Sequence, residues 1–425
     1  MSKISIESLG CKLNQAETES FAWRLLGKGY QLAESAEEAD IYVLNTCTVT
    51  HVADRKARHL LRSAQRANPQ ALIVAVGCYA QRAPEELRQL GVVDLILDNQ
   101  EKERLAEVLT DRSAPIGKGR QGPVMGHQGR SRSLIKIQEG CNSFCSFCVV
   151  PYTRGRERSR PWPEVLHEVR EREDAGYKEV ILTGTKIGTY RWNGESHGGL
   201  VRLIGSILEE TNVERLRLSS LQPQDLTPEL IDLWADDRLC PHLHLPLQSG
   251  SQAMLERMGR GYSLIEYERA VCRACQAIPN LAITTDVMVG FPGEGEKEFE
   301  ESYRFCERMG FAKIHVFPYS ARCGTAAATL PGQVNGRVKR DRSQQMLALA
   351  EQSARCFREG FLGQTMTVLW ESQLDEGIWG GLTANYLRVF ARSEEDLTNR
   401  LLKAKLVAEQ AQGLMGELAQ EDRDG

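Results

Sequence analysis

Residues 139–155 read EGCNSFCSFCVVPYTRG, with Cys141, Cys145 and Cys148 inside eight residues. The apolar run SLIKIQ (133–138) just before it reads as a strand, so the cysteines open the loop that follows a strand. Closed structural zinc sites and ordinary four-iron clusters take four protein ligands. Here no fourth Cys or His stands at ligand spacing: His127 is fourteen residues upstream of the set and His167 nineteen downstream. Thiolates are soft ligands suited to zinc or iron–sulfur clusters. Three of them leave one coordination position open, which is the logic of a catalytic metal site.

Downstream, further apolar runs alternate with helical patterns. Candidate strands are 179–184, 215–220, 242–248, 282–290 and 313–320, with helices at 163–175, 199–211, 226–236, 263–277, 296–309 and 338–362. Six β/α units predict a partial (β/α)6 barrel, which puts the cysteine loop at the carboxyl face where barrel enzymes keep their chemistry. Upstream, KISIESLGC, IYVLNTC and LIVAVGC read as strands and AETESFAWRLLGKG and DRKARHLLRSAQRA as amphipathic helices, predicting a small parallel α/β domain. Each of these strands runs into a cysteine: Cys11, Cys47 and Cys78. Carboxyl ends of parallel strands share one crest, so the three thiols should converge.

The class is therefore α/β, with a β-rich module from Gln364 onward. The expected division is 1–112, an aperiodic Gly/Pro/Arg-rich linker at 113–130, a barrel at 131–362 and a small β-barrel at 363–425 ending in a frayed tail. At 425 residues the chain is too long for one core. No apolar run approaches a membrane span, and MSKISIESLGC lacks the apolar core of a signal peptide. Twelve cysteines then imply a reducing compartment, the cytoplasm, and metal ligands or packing in place of disulfides. The formal charge is −4, yet residues 111–160 hold ten Lys/Arg against three acids, and 54–66 is also basic. Focused basic stripes suit an RNA partner; the plainer reading is solvated faces.

The C-x3-C-x2-C spacing, with Phe147 before the last cysteine and a strand before the loop, resembles the radical S-adenosylmethionine (SAM) superfamily. Together with SLGCKLNQAETES, VLNTCTVTHVADRKAR, VGCYAQ, RLSSLQP, HLPLQSGS, TTDVMVGFPGE and HVFPYS, nearly the whole chain looks like a methylthiotransferase. That resemblance implies two 4Fe–4S clusters. Cys141, Cys145 and Cys148 match the ligands of the SAM-binding one, and Cys11, Cys47 and Cys78 those of an auxiliary one. It also implies a carboxyl-terminal TRAM-like domain that binds RNA, a sulfur donor and an electron donor. GCKLNQAE and NTCTVTHVADRKAR are most similar to the branch acting on N6-threonylcarbamoyladenosine beside the tRNA anticodon. The implied reaction uses one SAM to methylate sulfur and another to make the radical that attacks C2 of adenine. Adenine C2 is unactivated, which suits a radical, and an anticodon loop presents unstacked bases. The alternatives are the isopentenyladenosine branch, the branch modifying a ribosomal-protein aspartate, and a non-catalytic RNA-binding iron–sulfur protein.

By the same resemblance Phe147 packs on the adenine of SAM, and Gly184 and Thr185 stand near its methionine end. Ser220, Gln248 and Asp286 end candidate strands and are further SAM-pocket candidates; each also reads as structural. The CxxC of Cys272 and Cys275 lies within a helical pattern and reads as two buried packing residues, as do Cys240, Cys306 and Cys356. Cys323 receives no role. His242 and His244 alternate with leucines and read as hydrogen-bonding strand residues, not ligands.

Overall fold

The computed structural model describes residues 2–112, 131–193 and 198–419. The linker expected at 113–130 and the tail from 420 lie outside the described residues. At the amino end, β1 (Lys3–Ser8), β2 (Gln31–Leu32), β3 (Ile41–Thr46), β4 (Leu72–Gly77) and β5 (Leu95–Leu97) form a parallel sheet in the order β2-β1-β3-β4-β5. Every residue of β3 is buried because both sheet faces are covered. Tyr42, Leu44 and Ile73 pack under α2 (His51–Ala67), while Val43, Val74 and Val76 pack with Phe21 and Leu25 of α1 (Lys12–Gly27). The edge strands β2 and β5 carry no periodic signal; two and three residues are too few to show one. Strand order reverses between β1 and β3, and that switch point is where open α/β sheets bind ligands.

The central unit has six parallel strands: β6 (Arg132–Lys136), β7 (Glu179–Thr183), β8 (Arg215–Leu218), β9 (His242–His244), β10 (Ala282–Val289) and β11 (Lys313–Pro318). They form two three-stranded sheets, β8-β7-β6 and β9-β10-β11, joined by a Ser220–His244 bridge into a partial barrel. Alternation along each strand separates two faces. Val180, Leu182, Leu216, Leu243 and Ile283 point out into the helical shell. Apart from Leu134 and Ile181, the inner face is largely polar, carrying Glu179, Arg217, His242, His244, Asp286 and His315, with Asp286 opposite His315. Such a face needs solvent or ion pairs, or a cover. Helix α1 supplies cover on one side: its Ala16 packs against Leu134 and Ile181 on the inner face of β6 and β7. This helix is therefore buried on two sides, by its own sheet and by the barrel.

The carboxyl-terminal strands β12 (Thr365–Asp375), β13 (Ile378–Thr383), β14 (Arg388–Arg392), β15 (Leu401–Gln410) and β16 (Gly413–Leu418) close into a barrel in the order β12-β13-β14-β16-β15. It docks on the amino-terminal ends of the central strands. Arg215 donates to the Leu382 and Thr367 carbonyls at 2.9 and 2.7 Å. Arg217 pairs with Glu179 at 2.6 Å, donates to the Ala384 carbonyl at 2.7 Å and lies 3.6 Å from the ring centre of Tyr386.

Two expectations from the sequence are corrected. Cys272, Cys275 and Cys356 are exposed, not packed; Cys240 and Cys306 are buried. Of the six stripe cations whose side chains are described, five are also spent within the protein, Arg156 being the other. Arg132 pairs with Glu371, Lys136 with Glu103, Arg154 with Glu17, Arg158 with Glu139 and Arg160 with Glu168. Charge counted along a sequence does not reveal which cations fold onto acids.

Candidate active site

Cys11, Cys47 and Cys78 stand at the carboxyl crest of the amino-terminal sheet, the first two flanking its switch point. Gly10 makes their approach possible. Its φ is +94°, and a Cβ there would lie 2.6 Å from the Cys47 sulfur. Asn14 ties the two loops together, its Nδ2 donating to the Leu9 and Thr46 carbonyls at 2.7 and 3.0 Å. Thr46 Oγ1 accepts from the Tyr79 N–H at 3.1 Å and so positions the turn bearing Cys78. Burial pushes the Cys47 thiol up to about 12, and the nearby Cys11 and Cys78 push the same way while Arg154 opposes them.

The second set follows β6. Gly140, at φ +74°, faces the Arg156 carbonyl where no side chain fits. The Cys148 N–H donates to the Cys145 carbonyl at 3.0 Å. Ser146 pins the loop to the barrel by donating from its N–H to the Met258 carbonyl (2.9 Å) and accepting from the Ala327 N–H (2.7 Å). Burial, followed by Cys145 and Cys141, raises the Cys148 thiol to about 12, against the Arg260 charge. Arg260 Nη1 donates to the Cys145 sulfur at 3.4 Å. Phe147 sits on an apolar cluster with Met254, Met258, Phe291 and Tyr319, its ring edge-on to Phe291 at 6.4 Å.

Arg154, fully enclosed just after the barrel loop, joins the two sets. Its Nη1 donates to Glu17 at 2.8 Å and its Nη2 to Asn14, and its charge acts on Cys78 and Cys11. Asn99 Nδ2 donates to the Thr153 carbonyl at 2.7 Å and lies 3.7 Å from the Cys78 sulfur. Burial works to raise the Glu17 carboxyl, but Arg154, Lys102 and Lys136 together hold it well below the usual carboxylate range. Arg154, Asn14, Glu17 and Asn99 were not singled out by sequence, because their partners are remote along the chain.

The remaining candidates divide. Gly184 allows a close backbone approach, since a Cβ would come 2.7 Å from the Gln138 carbonyl. Beside it, Thr185 Oγ1 is buried with no protein partner. Gln248 holds a left-handed φ of +70° and its N–H donates to the Asp286 carbonyl at 2.7 Å. Asp286 and Ser220 lie deeper: Asp286 Oδ2 is 3.4 Å from His244 Nε2, and Ser220 bridges His244. Both histidines also contact Thr284 Oγ1, His242 at 3.1 Å and His244 at 3.0 Å.

The donor sets bear on what they could hold. Tetrahedral zinc with Zn–S bonds of about 2.3 Å brings sulfurs to roughly 3.8 Å. Among the described residues, neither cysteine set closes to within 4.8 Å; the one group that does is Glu17, Glu103 and Glu139. Those acids are taken by Lys102, Lys136, Arg154 and Arg158. Three thiolates in each set, with one coordination position left open, suit an iron–sulfur group. The orphaned Thr185 hydroxyl near the barrel loop fits a polar ligand.

Known proteins resemble this chain along most of its length. Residues 3–98 match the model described as uncharacterized protein family UPF0004, and residues 135–306 that of the radical SAM superfamily. A Bacillus subtilis protein named threonylcarbamoyladenosine tRNA methylthiotransferase MtaB is 36% identical, the match covering 96% of this chain and 94% of that one. A Syntrophotalea carbinolica protein named tRNA-2-methylthio-N(6)-dimethylallyladenosine synthase is 33% identical, covering 98% and 100%. The radical S-adenosylmethionine methyltransferase TsrM of Kitasatospora setae shares the fold, with a TM-score of 0.55 at 14% identity over 77% of each chain. Two family models in tandem and relatives matched nearly end to end place the chain: it belongs to the radical-SAM methylthiotransferases.

Proposed function

We propose that this enzyme adds a 2-methylthio group to N6-threonylcarbamoyladenosine beside the anticodon of tRNA, in the cytoplasm. Cys141, Cys145 and Cys148 would hold a 4Fe–4S cluster that binds SAM; Cys11, Cys47 and Cys78 would hold a second. When bound, these groups supply one-electron chemistry, sulfur and a methyl group. The protein's own part is placement. Arg154 and Asn99 lock the cysteine crest against the barrel loop, and Arg260 and Arg154 offset negative charge at the thiolates. Thr185 and the open backbone at Gly184 support SAM binding, with Phe147 bordering it.

Relatives named for the threonylcarbamoyl substrate, 36% identical over more than nine-tenths of this chain, support that choice of base, and this chain's own residues support it too. The observation that carries it is the polar inner barrel face, with His244, Asp286 and His315 half-buried and water-accessible. An arm bearing hydroxyl and carboxylate groups suits that lining; a wholly apolar isopentenyl arm does not. RNA contact is supported by α2, where Arg55, Lys56, Arg62 and Arg66 are exposed and without an acid partner among the described residues. It is also supported by exposed Phe144 and Tyr152, with Arg156 lying 4.9 Å from the Phe144 ring centre. The TRAM-like barrel would add phosphate contacts. No helix among the described residues is long and apolar enough to cross a membrane.

Mass spectrometry of tRNA nucleosides from cells lacking the gene, with and without the gene restored, tests the reading. The methylthiolated threonylcarbamoyl nucleoside should vanish and its unthiolated parent accumulate. Loss of the methylthiolated isopentenyl nucleoside instead would overturn it.

A further inference from the structure

The buried cations Lys102, Arg154 and Arg217 each meet a carboxylate within 3 Å. Lys12 does not. It opens α1, directly after Cys11, and is half-buried. Its ammonium lies 5.3 Å from the ring centre of Tyr386 and has no acid within ion-pair distance among the described residues. Tyr386 in turn stands 4.5 Å, edge-on, from His242 at the floor of the inner barrel face. His242 and His244 share Thr284 Oγ1, at 3.1 and 3.0 Å. The acid on the same face, Asp286, is turned to His244, and the His244 and His315 rings are 5.9 Å apart. A half-buried ammonium beside an aromatic ring, with no carboxylate of its own among the described residues, is a site short of one anion.

The substrate proposed above carries such an anion, and this inference rests on that reading. Adenine C2 and the N6 substituent lie on the same edge of the base. A group following the cysteine that would help present sulfur to C2 is well placed to meet the N6 arm. We propose that Lys12 receives the free carboxylate of the threonylcarbamoyl arm and so selects the acid-bearing adenosine.

The test is anaerobic binding of the cluster-loaded full chain to anticodon stem-loop RNAs, followed by fluorescence anisotropy. Three RNAs carry N6-threonylcarbamoyladenosine, its methyl ester or N6-isopentenyladenosine. A charge-assisted contact of this kind should make wild type bind the acid about tenfold or more tighter than the ester. Lys12→Met should bring that ratio to within about twofold while leaving ester binding in place, and Lys12→Arg should keep most of it. If Lys12→Met binds neither RNA, the ratio is read from Lys12→Gln. An unchanged ratio in the neutral variant, with wild type still preferring the acid, overturns the role of Lys12 and leaves the substrate reading standing. A wild type that prefers the isopentenyl RNA overturns both.

Discussion

Glu17 is the carboxylate on which the junction between the cysteine crest and the barrel turns. Its side chain is 1% exposed, with Lys102 (0%) at 2.7 Å and Arg154 (3%) at 2.8 Å. Glu17→Gln keeps the shape and removes the charge, leaving two enclosed cations with a neutral neighbour. Breaking a buried ion pair from one side costs about 3–5 kcal/mol. For a unit the size of the central barrel, that lowers the thermal midpoint by at least about 6 °C. Differential scanning calorimetry of the metal-free chain reads it directly. Glu38→Gln serves as control: its pair with Lys3 is 3.4 Å long and about half exposed, so its effect stays under about 1 kcal/mol. The pH dependence has a definite sign. The folded carboxyl is held below its unfolded value of about 4.3, so its stabilisation is fully present above that value and is lost as pH falls through the folded pKa. The gap between wild type and variant should be constant from about pH 6 to 8 and narrow below about pH 4. A Glu17→Gln midpoint within 1–2 °C of wild type at pH 7 would refute the claim that this carboxylate holds the junction.

Gly10→Ala places a methyl group where the Cys47 sulfur sits, in a backbone conformation L residues avoid. Iron bound after anaerobic reconstitution should fall by about half, with SAM cleavage retained. Thr185→Val removes a buried hydroxyl that no protein group satisfies; the ligand-free midpoint should hold or rise, by up to about 1 kcal/mol, while SAM affinity measured by equilibrium dialysis falls. Tyr386→Ala strips the ring from Arg217 and from His242. The carboxyl-terminal barrel should then be released sooner by limited proteolysis, at unchanged iron content.

Much of the architecture was legible because its signals are local. The segment 282–290 and the strand Ala282–Val289 differ by one residue, and the helix at 296–309 coincides with Glu296–Met309. Periodicity of apolar residues suffices for such elements. Cysteines at strand ends were equally visible, since parallel strands share a crest whatever their order. The sequence reads helix α1 as amphipathic, with one buried face; the structure instead buries it on two sides, with Phe21 and Leu25 against its own sheet and Ala16 against the barrel, so it has no single apolar stripe. Arg154 looked like one more cation in a basic stretch. Its partner Asn14 is 140 residues away, and no spacing rule spans that distance.

The residue types and their order thus determined two triads of cysteines at strand ends, an α/β frame and a β-rich end, and the resemblance carried by their motifs supplied the chemistry. Tertiary structure alone decided which charges are spent and which remain. Hydrophobic period and ligand spacing are properties of neighbours along the chain. Ion pairing is a property of neighbours in space, and only the docking of α1 into the barrel neutralises Arg154 at Glu17 while leaving Lys12 beside the Tyr386 ring without an acid among the described residues.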